Sequence, residues 1–223
     1  MKKIIPVILV CVFLSPIFGC RTSKSTAADA AGDSTELIIE PGENWKGKMK
    51  IAFFSISKTP QIAAWIEDTE GRCITTVTVT SRSAKKNWRS APKEGRPEAL
   101  PVWNHMQLNQ AANLDTVSTA TPKKSVEAKI DKSRLSSGNK YNIFLEINHS
   151  FDYNDYWTKD NSGVNGQPSL VYQAQFTAGQ PCRLTLAPIG YGSVDGSNGI
   201  ITSGLEHFTS ALSIVSKADF IGK

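Results

Sequence analysis

Asp152, Asn154, Asp155, Asp160 and Asn161 crowd hard oxygen donors into one short stretch, interleaved with Phe151, Tyr153, Tyr156 and Trp157. Carboxylate and amide oxygens in such density suit Ca2+, but the ligand spacing of an EF-hand is missing. Asn and Asp in a loop also close Asx-turns, which here would stiffen the chain. No metal is therefore expected, and the chemistry of the stretch is recognition. Amphipathic aromatics held on a polar loop supply contact area at binding surfaces; the alternative is a loop folded on its own aromatic mini-core. Phe151, Asp152, Tyr153, Asp155, Tyr156 and Trp157 are the candidate binding residues.

A second stretch, residues 81–98, carries Arg82, Lys85, Lys86, Arg89, Lys93 and Arg96 around Trp88. A charge run of this kind is ordinarily a solvated surface, and its sharper meaning is a patch for anionic headgroups, sugars or a phosphate-bearing partner. No HExxH, GxSxG, GxxxxGK or dinucleotide fingerprint occurs. His105, His149 and His207 are far apart in sequence and are expected to be structural.

The start of the chain gives an address. Lys2 and Lys3 precede an apolar run over residues 4–18, too short to span a bilayer and laid out as a secretory signal. Gly19 before Cys20 resembles a bacterial lipobox, which implies cleavage after residue 19 and acylation of Cys20 by fatty chains such as palmitate. More than one chain makes such anchoring stable. Arg21, where an Asp would retain the protein at the inner membrane, favours the outer membrane facing the periplasm. Residues 20–35 are small and polar and read as a flexible tether; residues 36–223 are left for a single domain. Losing the two lysines of residues 1–19 lowers the formal charge from +5 to +3. That excess is mild and does not point to a nucleic-acid partner.

Cys11 leaves with the signal and Cys20 is the lipid site, so Cys73 and Cys182 remain. Cys73 shares strand parity with Thr75, Val77 and Val79, and Cys182 with Leu184 and Leu186. Both point to an apolar face in a compartment that permits oxidation. Two readings stay open, two buried free thiols and a possible Cys73–Cys182 disulfide.

These groups must be positioned by strands. Tyr141, Ile143, Leu145 and Ile147 alternate with Asn142, Phe144, Glu146 and Asn148, and Leu170, Tyr172, Ala174 and Phe176 with Val171, Gln173, Gln175 and Thr177, the signature of one buried face. The connection between them, residues 149–169, is longer than a hairpin needs and so is functional or disordered. Residues 36–40, 48–57, 61–67, 72–80, 125–130 and 182–188 are further strands, with a turn at residues 68–71. Residues 101–105 form a short buried segment. Residues 203–217 place Leu205, Phe208, Ala211, Leu212 and Val215 at helical spacing, predicting a short amphipathic C-terminal helix. About seven or eight antiparallel strands with turn signals between them predict an all-β sandwich.

Three stretches carry a resemblance: residues 60–77 (PQIAAWIEDTEGRCITTV), 115–122 (DTVSTATP), and 141–157 with 162–172 (YNIFLEINHSFDYNDYW and SGVNGQPSLVY). They resemble the bacterial family called domain of unknown function 2271, predicted periplasmic proteins similar in outline to small immunoglobulin-like β-sandwiches. The resemblance brings no catalytic residues. Residues 115–121 also resemble the D-x-x-[S/T]-G-A-T target of periplasmic flavin transferases, which implies FMN on the Thr121 hydroxyl, with Asp115, Ser118 and Ala120 recognised. Thr119 departs from the pattern where Gly is expected, and a β-branched residue is poor at positive φ or close backbone approach. The chain is thus expected to be a lipid-anchored envelope binding or scaffolding module with an envelope protein as partner and no resident cofactor. The alternative is an electron carrier with covalent FMN.

Overall fold

The computed structural model describes residues 34–51, 53–88, 92–109, 118–119 and 124–223. Among these residues there are twelve strands: β1 (Thr35–Pro41), β2 (Gly47–Ile51), β3 (Phe54–Lys58), β4 (Gln61–Asp68), β5 (Cys73–Thr80), β6 (Ser118–Thr119), β7 (Val126–Ile130), β8 (Lys140–Asn148), β9 (Leu170–Thr177), β10 (Cys182–Thr185), β11 (Ala187–Tyr191) and β12 (Val215–Gly222). Three short helices join them: α1 (Ser81–Lys85), α2 (Pro101–Asn109) and α3 (Lys159–Ser162). One sheet runs β10-β12-β1-β7, a second runs β11-β9-β8-β4-β5-β6, and β2-β3 is a separate hairpin. All pairings are antiparallel except β5–β6. The protein is an all-β sandwich.

The alternating residues do what their period requires. Ile143, Leu145 and Ile147 of β8, Leu170 and Tyr172 of β9 and Ile62, Ala64 and Ile66 of β4 enter one core with Leu37 and Ile39 of β1 and Phe220 of β12. That apolar contact across two sheets is the main stabilising term of a sandwich. The other face of the larger sheet is also buried, because α2 lies on it. Trp103, Val102 and Met106 pack with Ala63, Trp65, Val79, Phe144 and Val171, and Trp65 stacks on Phe144 with centroids 5.2 Å apart.

Glu146 explains how that helix is moored. Its carboxylate accepts from the backbone N–H of Trp103 at 2.8 Å and of Val102 at 3.2 Å, and from Ser169 Oγ at 2.6 Å. Pro101 has no N–H to satisfy, so Glu146 serves the orphan donors of the first helical turn from across the sheet. Burial pushes its acid up to about 7 against the lowering effect of those three donors.

Four expectations are corrected and one is borne out. Residues 48–57 are a hairpin, β2 and β3, with Phe53 fully exposed at its turn. The expected buried segment at residues 101–105 is present and forms the start of helix α2, with Val102 and Trp103 buried. Residues 182–188 make two strands in different sheets, crossing between them at the buried Leu186. The C-terminal helix is only a 3-10 turn, Ser210–Ser213, after which β12 fills the place between β1 and β10; backbone groups left open along β1 outweigh a marginal helix. The fifth concerns the cysteines. Both are thiols, and no disulfide joins them. Two bulges against β4 insert Ile74 and Val77 as extra residues of β5. Each bulge reverses the parity that follows it, so Ile74 and Val77 face the main core while Cys73 and Val79 face α2's side. Cys182 packs against the main core on the opposite sheet. Burial pushes the Cys73 thiol up to about 12, which makes it inert rather than oxidation-prone.

Candidate functional site: a cationic cleft between two loops

A cleft of about 970 Å³ opens at the end of the larger sheet where β4 begins and β5 ends. Its floor is Gln61 and Asn148, one wall is drawn from residues 82, 87–88, 92 and 94–98, and the other holds Ser150, Phe151 and Val164. Each cation arrives on a different element. Lys58 ends β3, Arg82 sits in the first turn of α1 as the continuation of β5, and Arg96 directly precedes the 3-10 turn Pro97–Ala99. Gln61 ties floor to wall, accepting through Oε1 from Thr80 Oγ1 at 2.8 Å and Ser83 Oγ at 3.2 Å.

Arg96 clamps the two walls together. Its Nε donates to Glu98 at 2.7 Å, Nη1 to Ser150 Oγ at 2.6 Å and Nη2 to Asn165 Oδ1 at 2.8 Å. Its guanidinium also lies 5.0 Å from the centroid of Trp88. With its side chain only 10% exposed, this planar fork does what a lysine ammonium cannot. The Lys58 ammonium lies 3.5 Å from the centroid of Phe151, within cation–π range. Burial, then the charges of Arg96 and Arg82, bring Lys58 down to about 8. Phe151 itself stands at φ 62°, a left-handed conformation costly for a bulky residue. Asn148 donates through Nδ2 to the Gln167 carbonyl, and among the described residues its buried Oδ1 has no partner.

Residues 149–169, expected to carry recognition, contribute only Ser150, Phe151 and Val164 to this cleft. Asp152 accepts from Ser210 Oγ and pairs with Gly166 in an isolated parallel bridge. Gly166 stands at φ 75°, and a Cβ there would come within 2.4 Å of the Asp152 carbonyl carbon. Tyr153 donates its hydroxyl to the Gly163 carbonyl. Asp155 is exposed. Tyr156 stacks on His207 with centroids 3.7 Å apart. Trp157 is buried against Tyr191 and Phe208. Asn154 and Asn161 close turns, accepting from the N–H groups of Tyr156, Trp157 and Thr158. Among the described residues no group of three or more His, Cys, Asp or Glu is arranged to hold a metal.

The histidines stay apart. His149 donates to the carbonyls of Asn44 and Trp45, each at 3.0 Å, and burial lowers its basicity. His105 meets the Pro101 carbonyl. Cys20, Asp115, Ala120 and Thr121 lie outside the described residues, and Ser118 enters as the β6 residue opposite Val79. Sequence reasoning missed Lys58, Gln61 and Asn148. Each lies at a strand end, and nothing local marks a strand end as one that meets the basic stretch.

Compared with protein-family models, with curated proteins and with solved structures, the chain matches none.

Proposed function

We propose that this chain is a lipid-anchored protein of the bacterial cell envelope, held at Cys20 in the outer membrane facing the periplasm, and that it works as a non-enzymatic binding module through the cleft. Membership of the domain of unknown function 2271 family is part of the same proposal and rests on the stretches quoted above. The observation that carries the binding reading is the cleft: Lys58 and Arg82 brought together on separate elements, beside the aromatic faces of Trp88 and Phe151. Guanidinium, ammonium and aromatic faces hold ligands. Of the two acids in the lining, Glu98 is committed to Arg96.

Two measurements test it. Labelled palmitate should enter the wild type and not Cys20→Ala; label in the variant ends the anchor. Hydrogen exchange on the full chain in detergent, across neutral sugars, phosphorylated sugars and acidic peptides, should show protection at the cleft walls with at least one class. Protection with none, or only elsewhere, ends the binding reading.

The second reading is covalent FMN on Thr121. One observation favours it: β6 runs parallel to the last two residues of β5, toward the same end of the sheet as Arg82 and Gln61. Co-expression with a flavin transferase should then give a fluorescent band that Thr121→Ala abolishes and Thr119→Gly strengthens. A band surviving Thr121→Ala removes that site.

A further inference from the structure

We propose that the cleft takes a neutral oligosaccharide, one of whose hydroxyls is held by the amides of Gln61 and Asn148 on the floor. The inference rests on the cleft being the binding site and says what enters it.

The floor is built by register. Along β4 and β8 the cross-strand pairs Trp65–Phe144, Ala63–Glu146 and Gln61–Asn148 follow one another, and a side-chain period of two puts all three on one face of the sheet. Helix α2 takes the first two. Trp65, Phe144 and Ala63 share its apolar cluster, and Glu146 holds its first turn. The third pair lines the cleft instead. The row therefore changes from apolar to amide where the helix gives out.

Both amides are oriented by partners outside the lining of the cleft. Asn148 is 1% exposed, and its Nδ2 donates to the Gln167 carbonyl. A carbonyl only accepts, so that end of the amide is the nitrogen and the other is Oδ1. Among the described residues this buried oxygen has no partner. Gln61, 4% exposed, spends Oε1 on the hydroxyls of Thr80 and Ser83, which leaves Nε2 as its group with hydrogens to give. Buried acceptors are nearly always satisfied, so an orphan in the floor of a cleft marks where a ligand's donor belongs.

An acceptor beside a donor selects what can meet them. A hydroxyl meets both, giving its hydrogen to Asn148 Oδ1 and receiving one from Gln61 Nε2. A carboxylate or phosphate dianion has no hydrogen to give and sets oxygen against oxygen. An ammonium gives one, but it enters a lining that already holds Lys58, Arg82 and Arg96, whose charges repel it. Nor do those cations call for an anion: the Lys58 ammonium is seated over the Phe151 ring, and Arg96 is paired with Glu98. The walls agree with a polyol. Ser57, Thr59, Ser150 and Asn87 add hydroxyl and amide groups, and Trp88 adds an aromatic ring. A volume of about 970 Å³ is at the upper end for small-molecule sites, with room for more than one sugar ring.

The test is a titration of the 15N-labelled full chain, in a sugar-free detergent, followed through its side-chain amide signals. The probes are cellotetraose, maltotetraose, N-acetylated chitotetraose, glucose 6-phosphate and a tetraglutamate peptide. At least one neutral saccharide should shift the side-chain signals of both Gln61 and Asn148 and bind at least tenfold tighter than either anion. Gln61→Glu keeps the acceptor for Thr80 and Ser83 but turns the donor into a second acceptor. It should weaken that saccharide tenfold or more without lowering the melting temperature. The wild-type signals decide the matter if the variant does not fold. No shift with any of the three saccharides, a saccharide that binds with both amide signals unmoved, or tighter binding by an anion overturns the proposal. Protection of the cleft walls by the sugar phosphate or the peptide then leaves the binding module standing, whereas no ligand in the cleft removes both.

Discussion

Residues 149–169 combine turns closed by their own side chains with bracing from residues 207–210, whereas residues 81–88 and 92–98 are tied to the other wall chiefly through Arg96. In the first segment Asn154 and Asn161 close turns, Tyr153 bonds back to Gly163, and Trp157 is driven into the core. In the second, α1 has no side-chain cap and no buried residue. Its wall is fixed chiefly where Arg96 reaches Ser150 and Asn165, and where Asn165 donates back to the Glu98 carbonyl. Asp and Asn side-chain oxygens accept from nearby N–H and O–H groups, so a stretch rich in them can spend its polar groups internally. Lysine and arginine only donate and repel one another, so a basic stretch keeps its charges for something else. On the function proposed above, the acidic, aromatic loop shapes one wall of the cleft and the basic stretch supplies cations to the other.

Trp157→Ala should produce the largest loss, about 3–5 kcal/mol, because residues 149–169 are anchored by that one buried ring. Denaturant melts measure it, and exchange should rise through residues 151–166 but not 82–88. Equal loosening of both walls would dissolve the contrast.

Arg96→Ala comes next, at about 2–3 kcal/mol, since it removes charge-assisted bonds and leaves Glu98 and Asn165 without their partner. Exchange should now rise in the basic wall first. Arg96→Lys should recover less than half, because an ammonium cannot reach Glu98, Ser150 and Asn165 in one plane.

A third prediction concerns Glu146, which moors α2 on the larger sheet. Glu146 has a folded-state acid constant raised from 4.5 to about 7. The folded state therefore binds the proton more tightly than the unfolded one. This group's contribution is most favourable below about pH 4.5, declines as pH rises through about 7, and is flat above. The decline is on the order of 3 kcal/mol. Glu146→Gln keeps an acceptor for Val102 and Trp103 and should lack that slope. Urea melts of both proteins at about pH 4 and about pH 8 check it; parallel pH profiles would show that Glu146 does not titrate there.

Phe151→Gly should change stability least. Relief of the left-handed backbone, about 1 kcal/mol, is offset by the lost cation–π contact with Lys58, about 0.5–1 kcal/mol. A melt within about 0.5 kcal/mol of wild type is expected, with weakened cleft binding. A loss above about 2 kcal/mol would make Phe151 a structural anchor like Trp157.

The alternation in residues 141–148 and 170–177 specified β8 and β9 outright, and it also put Phe144 and Glu146 on the face that α2 later covers. The turn at residues 68–71 was equally legible, since Asp68 accepts from the N–H groups of Glu70 and Arg72 and Gly71 takes φ 78°. These are local matters: neighbour sterics fix the period of two, and turn residues fix the reversal. The side occupied by Cys73 was not local. Val77 and Ile74 had to bulge against β4 before parity reversed, and strand pairing alone decides a bulge.

By itself the sequence determined an all-β sandwich, the hairpin of β4 and β5, the β8–β9 frame and the two loops worth watching. Tertiary structure alone decided that Lys58, from a hairpin hidden in one apparent strand, meets Arg82 and Arg96, and that Trp157 turns inward while Phe151 turns to the cleft. It also decided that residues 215–222 close a sheet rather than a helix. The reason is the same in each case. Period and turn chemistry act between neighbours in the chain, whereas burial, charge proximity and strand-edge pairing act between segments that only the completed fold brings within a few ångströms.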